Sequence, residues 1–472
     1  MGSKWKTVRL GDLTKWSSGG TPNKSEESYW NGSIPWISAS SMDGHLYNDS
    51  RLKITEDGLK NGSRLAPVNS ILLLVRGSIL HQKIQVGMAT KAVAFNQDVK
   101  CLVVNNDIID PWYLLLWFKA KEQELLKIVE STGIGAGKLD TKLLMDYPVE
   151  IPPKEIREYI RFLGKAFFDK VTLNDNINYN LEQMSQTLFK SWFVDFDPVI
   201  DNALDAGNPI PEALQSRAEL RQKVRNSADF KPLPADIRAL FPAEFEQTEL
   251  GCLPATWIYS DLNKLIDIKH GFAFKGEYFS EKATNDIVLT PGNVRIGGGF
   301  RFDKFKYYKG EIPKDYVFEN DDIFVSMTDL SKECDSLGYA ARIPLQKNVR
   351  FLHNQRLGRV IIGKHASSVK EFIYQVLISK NYRNTVLGSV TGTTVKHTSP
   401  SKILSHIIPH SINGEVERKF NSICSSHSLS ISKNNENNRI LSQLRNILLP
   451  KLISGELSLE DLPDLIKQTE AA

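Results

Sequence analysis

The chain has 472 residues, of which 41% are hydrophobic and 24% are charged. This composition is typical of a folded globular protein and excludes a disordered or collagen-like chain, while the length predicts two to four domains. The 59 Lys and Arg against 55 Asp and Glu leave a net charge of +4, so a nucleic-acid-binding surface would need local grouping of basic residues.

Cysteines and apolar runs exclude several other classes. The four cysteines lie far apart, with no Cys-x-x-Cys pair and no histidine at ligand spacing, so we expect reduced, buried thiols and neither a zinc site nor a disulfide framework. The sequence shows no charged-then-apolar leader and no run of 18 apolar residues. We therefore expect a cytoplasmic protein.

The first part of the chain, about residues 4–152, has the pattern of a mixed α and β domain. Apolar runs at 68–75 and 100–104 predict strands, and the periodicity of 112–129 predicts a helix. The glycines of the Gly19-Gly20-Thr21-Pro22 stretch mark a loop.

A long helix is predicted next, over about residues 155–193. Apolar and polar residues step along it by four and three without a break, which is the period of a coiled-coil seam. The seam positions are Ile156, Ile160, Leu163, Phe167, Lys170, Asn174, Ile177, Leu181, Met184 and Leu188. Because the middle of this seam is polar, the helix, about 58 Å long, needs a partner to be stable.

A Pro-rich connector follows at about 197–251. It contains a predicted short helix at 211–225, which begins with a proline and ends in basic residues. We interpret the rest of the connector as linker-like.

The second half of the chain repeats the first. Asp12-Leu13 returns as Asp261-Leu262, and Asn96-Gln97 returns as Asn354-Gln355. Strand-like runs at 322–326 and 359–362 and a helical stretch at 369–380 predict a second mixed domain over about 253–410. Matches in the same order with a slowly growing offset indicate an internal duplication.

The long helix also recurs, at a constant offset of 260. Its seam is Val416, Phe420, Ile423, His427, Ser430, Asn434, Asn437, Leu441, Leu444 and Leu448. We expect the two helices to pair as an antiparallel coiled coil with an internal pseudo-twofold axis, in which Asn174 and Asn434, and Asn178 and Asn438, fix the register. Two unrelated amphipathic helices are the alternative.

The sequence contains no complete motif for catalysis or metal binding. The stretch from Gly133 to Lys138 lacks the first glycine and the final Ser or Thr of a phosphate-binding loop. His406 and His410 are separated by Pro409, which breaks the helix that a zinc pair would need. We therefore predict no catalytic residue and no metal ligand.

Polar loops that occur in both copies are our candidates for contacts with DNA bases and phosphates. Small donors, Arg, Asn and Gln suit base edges, and Lys suits phosphate; the alternative is that these residues only turn or solvate the chain. The candidates in the first copy are Gly20, Thr21, Asn23, Lys24, Ser38, Ser40, Ser41, Arg76, Gly77, Ser78, Gln97 and Lys138. Those in the second copy are Lys269, His270, Phe272, Lys275, Thr290, Asn293, Arg295, Thr328, Gln355, Thr393 and Lys396.

Several motifs carry a family resemblance. The run 181–199, LEQMSQTLFKSWFVDFDPV, resembles the central conserved region of the specificity subunits of type I restriction-modification enzymes, and 448–457, LLPKLISGEL, resembles their distal conserved region. Ser18 to Pro22 with Ile34 to Ile37 add to the match. One departure is Pro152-Pro153-Lys154, where the family continues Pro-Pro-Leu.

The resemblance implies an α+β fold and a division of labour. It implies two homologous target-recognition domains at 1–152 and 251–410, conserved coiled-coil helices at 153–196 and 411–454, the connector at 197–250, and a tail at 455–472. Each recognition domain would read one half of a bipartite double-stranded DNA target, and the coiled coil would set the spacing.

The resemblance also implies partners. Two methyltransferase subunits would dock on the helical regions and hold S-adenosylmethionine for adenine methylation, and motor-nuclease subunits would bring ATP and Mg²⁺, so this chain itself would bind no cofactor. We expect partner contacts at Trp192, Phe193, Leu449 and Leu452, against the alternative of ordinary helix-end packing. Two other hypotheses stay open: a self-sufficient methyltransferase or nuclease with fused recognition domains, and a structural coiled-coil scaffold.

Overall fold

The computed structural model describes residues 5–42, 44–132, 135–331, 333–363, 368–392 and 395–457. The chain divides into two compact units. The first unit comprises Met1–Thr172 and Asn438–Ala472, and the second comprises Leu173–Asn437. Each of the two long helices, α6 (Lys154–Phe193) and α13 (Glu415–Ser454), contributes residues to both units.

The first unit contains fourteen described strands and five short α-helices. The strands are β1 Lys6–Arg9, β2 Thr14–Ser18, β3 Trp30–Ile37, β4 Leu46–Tyr47, β5 Lys53–Ile54, β6 Arg64–Ala66, β7 Ile71–Leu74, β8 Arg76–Gly77, β9 Val86–Ala89, β10 Val93–Phe95, β11 Val99–Val104, β12 Val129–Ser131, β13 Gly137–Leu139 and β14 Pro148–Ile151. The helices are α1 Leu10–Leu13, α2 Glu56–Lys60, α3 Pro111–Ala120, α4 Glu122–Leu126 and α5 Thr141–Met145.

The strands of the first unit form a five-stranded sheet of order β2-β11-β7-β9-β4, a four-stranded sheet of order β5-β3-β10-β6, and smaller sheets β12-β13-β8 and β1-β14. Strands β3 and β10 run parallel. Helix α3 is buried along most of its length, from Tyr113 to Phe118, and its core also takes in Ile160 and Phe168 of α6 and Leu449 and Ile453 of α13.

The second unit contains the remaining strands and helices. The helices are α7 Asp197–Ala206, α8 Gln215–Arg225, α9 Ala235–Arg238, α10 Lys370–Ile378, α11 Lys380–Gly388 and α12 Pro400–Leu404. The strands are β15 Phe245–Thr248, β16 Gly251–Pro254, β17 Trp257–Asp261, β18 Ile266–His270, β19 Phe279–Ser280, β20 Asp286–Leu289, β21 Lys306–Tyr308, β22 Ile323–Ser326, β23 Thr328–Asp329, β24 Ala340–Arg342, β25 Arg350–His353, β26 Leu357–Ile362, β27 Lys396–His397 and β28 Ile407–Ser411.

The sheets of the second unit repeat the strand order of the first. The order β18-β26-β22-β24 corresponds to β2-β11-β7-β9, and the ribbon β23-β27 corresponds to β8-β13. The parallel pair β20 and β25 corresponds to β3 and β10. The mixed α+β fold class and the duplication expected from the sequence are therefore confirmed, while the exact domain boundaries stay a prediction.

The two long helices pack against each other within each unit. In the first unit the start of α6 meets the end of α13, and in the second unit the end of α6 meets the start of α13, so the helices run antiparallel. The predicted seam is wrong by one residue in the middle of α6. Ile177 and Met184 are 38% and 56% exposed, and Asn178 and Ser185 are buried instead, because a straight helix drifts from the 3.5-residue repeat that the seam assumes.

Amides meet inside the helix pair of the second unit. Asn178 Nδ2 donates to Asn435 Oδ1 at 3.0 Å, and Asn434 Nδ2 donates to Asn178 Oδ1 at 2.9 Å. Ser185 Oγ lies 2.9 Å from His427 Nδ1. The prediction that asparagines pair across the helices is thus correct in kind, with Asn178 contacting Asn434 and Asn435.

The connector is folded where the sequence suggested a linker. Aspartates on α7 face arginines on α8, both at intervals of four residues, so that successive helical turns carry successive ion pairs. Arg217 donates from Nε and Nη2 to the two carboxylate oxygens of Asp197, at 2.7 Å each, and Arg221 pairs with Asp201 in the same way. These buried carboxylates hold the helical hairpin together.

Smaller differences concern element bounds. The predicted helix at 112–129 is two helices, α3 and α4, because the chain turns at Lys121 and continues into β12. The predicted strand at 68–75 is shortened to β7. All four cysteines are free, three of them buried, and Cys252 is half-buried. No described helix is long and apolar enough to cross a membrane.

Candidate nucleic-acid interface

Three polar loops of the first unit converge at the ends of neighbouring strands. The Gly20 N–H donates to the carbonyl of Phe95 at 3.0 Å, and the Thr21 hydroxyl donates to Gln97 Oε1 at 2.7 Å. A Cβ on Gly19 would clash with the Phe95 carbonyl, so this approach of the two loops requires glycine. Asn23 and Lys24 continue the first loop and are exposed.

The serines after β3 form a tight turn at the same end of the sheet. The Ser38 N–H donates to Ser41 Oγ at 2.9 Å in a capping box at the 3-10 turn Ala39–Ser41. Ser38 is 8% exposed, and its hydroxyl lies 3.0 Å from that of Ser40. The exposed member is Ser40, so Ser38 and Ser41 support the turn and Ser40 remains able to contact a ligand.

A basic ribbon lies beside these loops. Strands β8 and β13 pair Arg76 with Lys138 and Gly77 with Gly137, and Ser78 follows as an exposed residue. Arg76, Gln97 and Lys138 line one open cavity, whose other lining residues are Val75, Asp98, Lys100, Leu139, Asp140, Thr141 and Lys142. The structure thus brings together three residues that the sequence predicted separately.

The same cavity adds two cations that sequence reasoning missed. Lys100 on β11 contacts the Ser18 hydroxyl, and Lys142 lies in the first turn of α5. Backbone N–H groups of Leu143 and Lys142 donate to Asp140 and hold the pKa of that carboxyl below its usual range. A lysine inside the otherwise apolar strand β11 was the available signal for Lys100.

The second unit builds the corresponding loops with more aromatic residues. The Phe272 N–H donates to the His353 carbonyl at 2.8 Å, and the Gln355 N–H donates to the Phe272 carbonyl at 3.0 Å. Lys269 Nζ donates to the Asp315 carbonyl at 3.1 Å and lies over the Tyr316 ring. His270 and Lys275 are exposed.

The turn after β20 buries one of the residues predicted to contact DNA, Asn293. Thr290 and Asn293 form a capping box, and Asn293 is 0% exposed. Its amide donates to the carbonyls of Arg301 and Asp303, and its oxygen accepts from the Thr290 N–H at 2.9 Å. Asn293 therefore has no donor or acceptor left for a base, whereas Arg295, which follows it, is exposed.

The ribbon of the second unit shows which residue corresponds to Lys138. Strands β23 and β27 pair Thr328 with His397 and Asp329 with Lys396. By this register His397, and not Lys396, corresponds to Lys138. Thr328 is almost fully buried, Lys396 Nζ donates to the Gly392 carbonyl at 3.1 Å, and Thr393 lies outside the described residues.

A buried histidine, His353, supports the loop that follows β18. Its backbone carbonyl accepts from Phe272 as the Phe95 carbonyl accepts from Gly20 in the first copy, so the two residues correspond. Burial lowers the pKa of His353 to about 4. His353 Nε2 lies 2.9 Å from the Leu357 carbonyl, which can only accept, so the ring donates from Nε2. This residue is neutral and supports the loop.

The residues predicted to contact partners lie in the chain's own cores. Trp192 and Phe193 pack with Phe241, Trp257 and Phe372 in the second unit, and Leu449 and Leu452 lie in the core of the first unit. Trp192 is only 1% exposed. Their burial favours the alternative of helix-end packing.

Metal-binding chemistry is not seen in the described ranges. Within those ranges no group of three or more His, Cys, Asp and Glu could hold a metal ion. The chemistry of the clustered loops is instead that of hydrogen-bond donors and acceptors beside fixed cations.

Part of the chain is similar to known proteins of one family. Residues 2–183 match the family model of the type I restriction modification DNA specificity domain. The EcoR124I/EcoR124II specificity subunit of Escherichia coli is 33% identical over 36% of this chain and 41% of that protein.

Other relatives match along the whole chain. The MjaIX specificity subunit of Methanocaldococcus jannaschii is 25% identical over 97% of this chain and 94% of that protein, and the HindI specificity subunit of Haemophilus influenzae is 24% identical over 96% and 100%. The crystal structure of a type I restriction-modification system S subunit from M. genitalium aligns with 95% of this chain and over 96% of its own length, with a TM-score of 0.49 and 13% identity. The resemblance to type I restriction-enzyme specificity subunits that the motifs predicted is confirmed, and the chain is similar to such subunits along nearly its whole length.

Proposed function

We propose that this chain is the DNA-specificity subunit of a type I restriction-modification complex, in which each recognition domain reads one half of a bipartite target. Every direct base contact would come from loops, and the basic side chains beside them would hold the phosphate backbone. The proposed reading set is the predicted candidates other than the turn-supporting or buried Ser38, Ser41, Asn293 and Thr328, together with Lys100, Lys142 and His397.

One observation carries this proposal. The two units share a strand order, and in both of them the polar loops leave the same strand ends and hydrogen-bond to one another. A duplicated reader with different side chains at corresponding positions, such as Lys138 and His397, is what an asymmetric split target requires. A structural scaffold would not need these differences.

The paired helices are proposed to set the distance between the half-sites and to receive two methyltransferase subunits. Their exposed apolar residues, which include Phe162 at 70% exposure and Ile447 at 59%, support docking better than the buried residues first predicted. In this proposal the partners hold S-adenosylmethionine, and the motor-nuclease subunits, joined through the methyltransferases, use ATP and Mg²⁺.

Reconstitution tests the proposal. The purified full chain alone should neither methylate nor cut DNA, and adding methyltransferase subunits should direct adenine methylation to one split sequence. Methyl transfer by the isolated chain would favour a self-sufficient enzyme. Complexes that methylate without sequence preference would contradict a reading role.

A further inference from the structure

A second group of basic residues in the first unit surrounds an aromatic stack, away from the reading loops in the sequence. The His45 ring lies 4.2 Å from the Phe168 ring and 6.2 Å from the Trp112 ring, measured between centroids. Lys165 Nζ lies 5.6 Å from the centre of the Trp112 ring, and the Arg445 guanidinium lies 4.7 Å from that of Phe168. Residues of α3, α6 and α13 and of the loop before β4 thus meet at one place.

Two more lysines extend this cluster. Lys119 lies two turns after Trp112 on α3, and its charge and that of Arg445 add to burial in lowering the pKa of His45 to about 4. The positive charge of Lys83 in turn contributes to lowering the pKa of Lys119. Lys83 lies six residues after Gly77, the last residue of β8. The cluster is therefore connected to the proposed interface by a few residues of chain.

The cations of this cluster outnumber the carboxylates that face them. Asp169 is paired with Lys165, and Glu122 accepts from the Ile84 N–H at 2.9 Å. The guanidinium of Arg445 donates only to the neutral amide of Asn446 among the described residues. Four cations, Lys83, Lys119, Lys165 and Arg445, therefore face two carboxylates.

Burial makes this excess costly at Lys119 and Arg445, whereas Lys83 and Lys165 are exposed. Desolvation lowers the pKa of Lys119 to about 8, and it also lowers the pKa of Arg445. His45 Nε2 is buried and has no hydrogen-bond partner in the described part of the chain. Partly desolvated cations and an orphaned ring nitrogen are destabilising unless an anion joins them.

The second unit shows that such an excess is not needed to join a recognition domain to the helices. At the constant offset of 260, Ser428 replaces Phe168 and Ser185 corresponds to Arg445. There Arg342 donates to both carboxylate oxygens of Glu371 at 2.9 Å each, and Ser428 donates to the same carboxylate at 2.7 Å. The cation of that junction is compensated within the chain.

We propose that His45, Lys119, Lys165 and Arg445, with Lys83, form a phosphate-binding site for the DNA backbone outside the base-reading loops. This inference rests on the proposed function. The guanidinium stacks on Phe168 and leaves its edge N–H groups to donate to phosphate oxygens. The site contributes affinity without sequence preference, and only the first half of the duplicated chain has it.

The test measures how DNA affinity depends on salt. The full-length chain and its K119M/R445M variant are titrated with a random-sequence 40-base-pair duplex from about 50 to 200 mM salt, a range in which phosphate contacts weaken strongly. Each phosphate contact adds about 0.9 to the slope of log K against log salt. We expect the variant's slope to be shallower by about 1.8.

Matched controls separate this site from a general loss of charge. The K127M/K154M variant loses the same two charges from exposed positions of the first unit and should keep the wild-type slope. Without DNA, K119M/R445M should unfold at the same or a higher temperature, since the methionines keep the aliphatic stems and remove uncompensated charge. A marked loss of thermal stability would assign the cations a structural role and overturn the proposal.

The outcomes also distinguish this inference from the proposed function. Wild-type binding with an unchanged slope in K119M/R445M overturns the phosphate site alone. Loss of methyltransferase binding with an unchanged slope would instead assign the cluster to a carboxylate of that partner. A wild-type chain without salt-dependent DNA binding overturns both.

Discussion

Thr21 donates a hydrogen bond of 2.7 Å to Gln97, a residue 76 positions further along the chain. The bond ties the loop after β2 to the loop between β10 and β11, and Gln97 lines the same cavity as Arg76. Because each loop is fixed by the other, their remaining donors and acceptors are presented in a defined geometry, as direct base reading requires.

The variant T21V tests whether this pair reads DNA. It removes the hydroxyl at nearly constant volume, so the fold should persist while the Kd for a duplex carrying the target rises about tenfold, which corresponds to about 1.4 kcal/mol. Discrimination should relax in one half-site. Binding measured by fluorescence anisotropy checks this, with T90V at an exposed position of the same unit as the control. Equal Kd values for both variants would remove Thr21 from the reading set.

The variant N178A tests the amide contact inside the helix pair. It removes the partner of both Asn434 and Asn435, and leaving part-buried polar groups unsatisfied costs about 1–3 kcal/mol. Urea denaturation should show that loss in the free energy of unfolding. N176A, which changes the same residue type at an exposed position two residues earlier, should have little effect, and equal destabilisation by both variants would contradict the assigned contact.

The variant H353F tests the buried histidine by giving the second copy the phenylalanine of the first. The pKa of His353 is lowered to about 4 in the folded chain, against 6.5 for the unfolded one. The unfolded chain thus binds more protons between these values, and the stability that His353 contributes is present above pH 6.5 and lost as the pH falls towards 4.

Unfolding free energies at several pH values check this linkage. The wild type should lose stability on acidification by up to about 1.4 kcal/mol per pH unit more than H353F does. Some slope will remain in the variant, because burial also lowers the pKa of His45 and His406 to about 4. Identical slopes would show that His353 does not titrate as described.

Features with a period were predictable from the sequence. The duplication, the long helices and the polar middle of their pairing follow from spacing and offset alone. The exact inward face does not, because a straight helix drifts by about 20° per heptad from a 3.5-residue repeat, which adds up to more than half a residue position over three heptads. Ile177 and Asn178 are neighbours, and only the facing chain decides which of them is buried.

The candidate site was predictable as a set of loops and less so residue by residue. Asn293 has the side chain of a base reader, but its oxygen accepts from the backbone of its own turn and its amide donates to the carbonyls of Arg301 and Asp303, a competition that sequence cannot display. Trp192 lies on an apolar helix end, and sequence could not tell whether this chain or another covers it. The Asp and Arg residues at intervals of four in α7 and α8 were a usable signal for a folded connector.

The most direct test of the two-reader account exchanges residues 4–152 for the corresponding domain of a relative with another target, keeps the rest of the chain, and maps methylated adenines across a genome with methyltransferase subunits present. The account predicts that one half of the recognised sequence changes while the other half and the spacing stay the same. A change in both halves, or in neither, would contradict it.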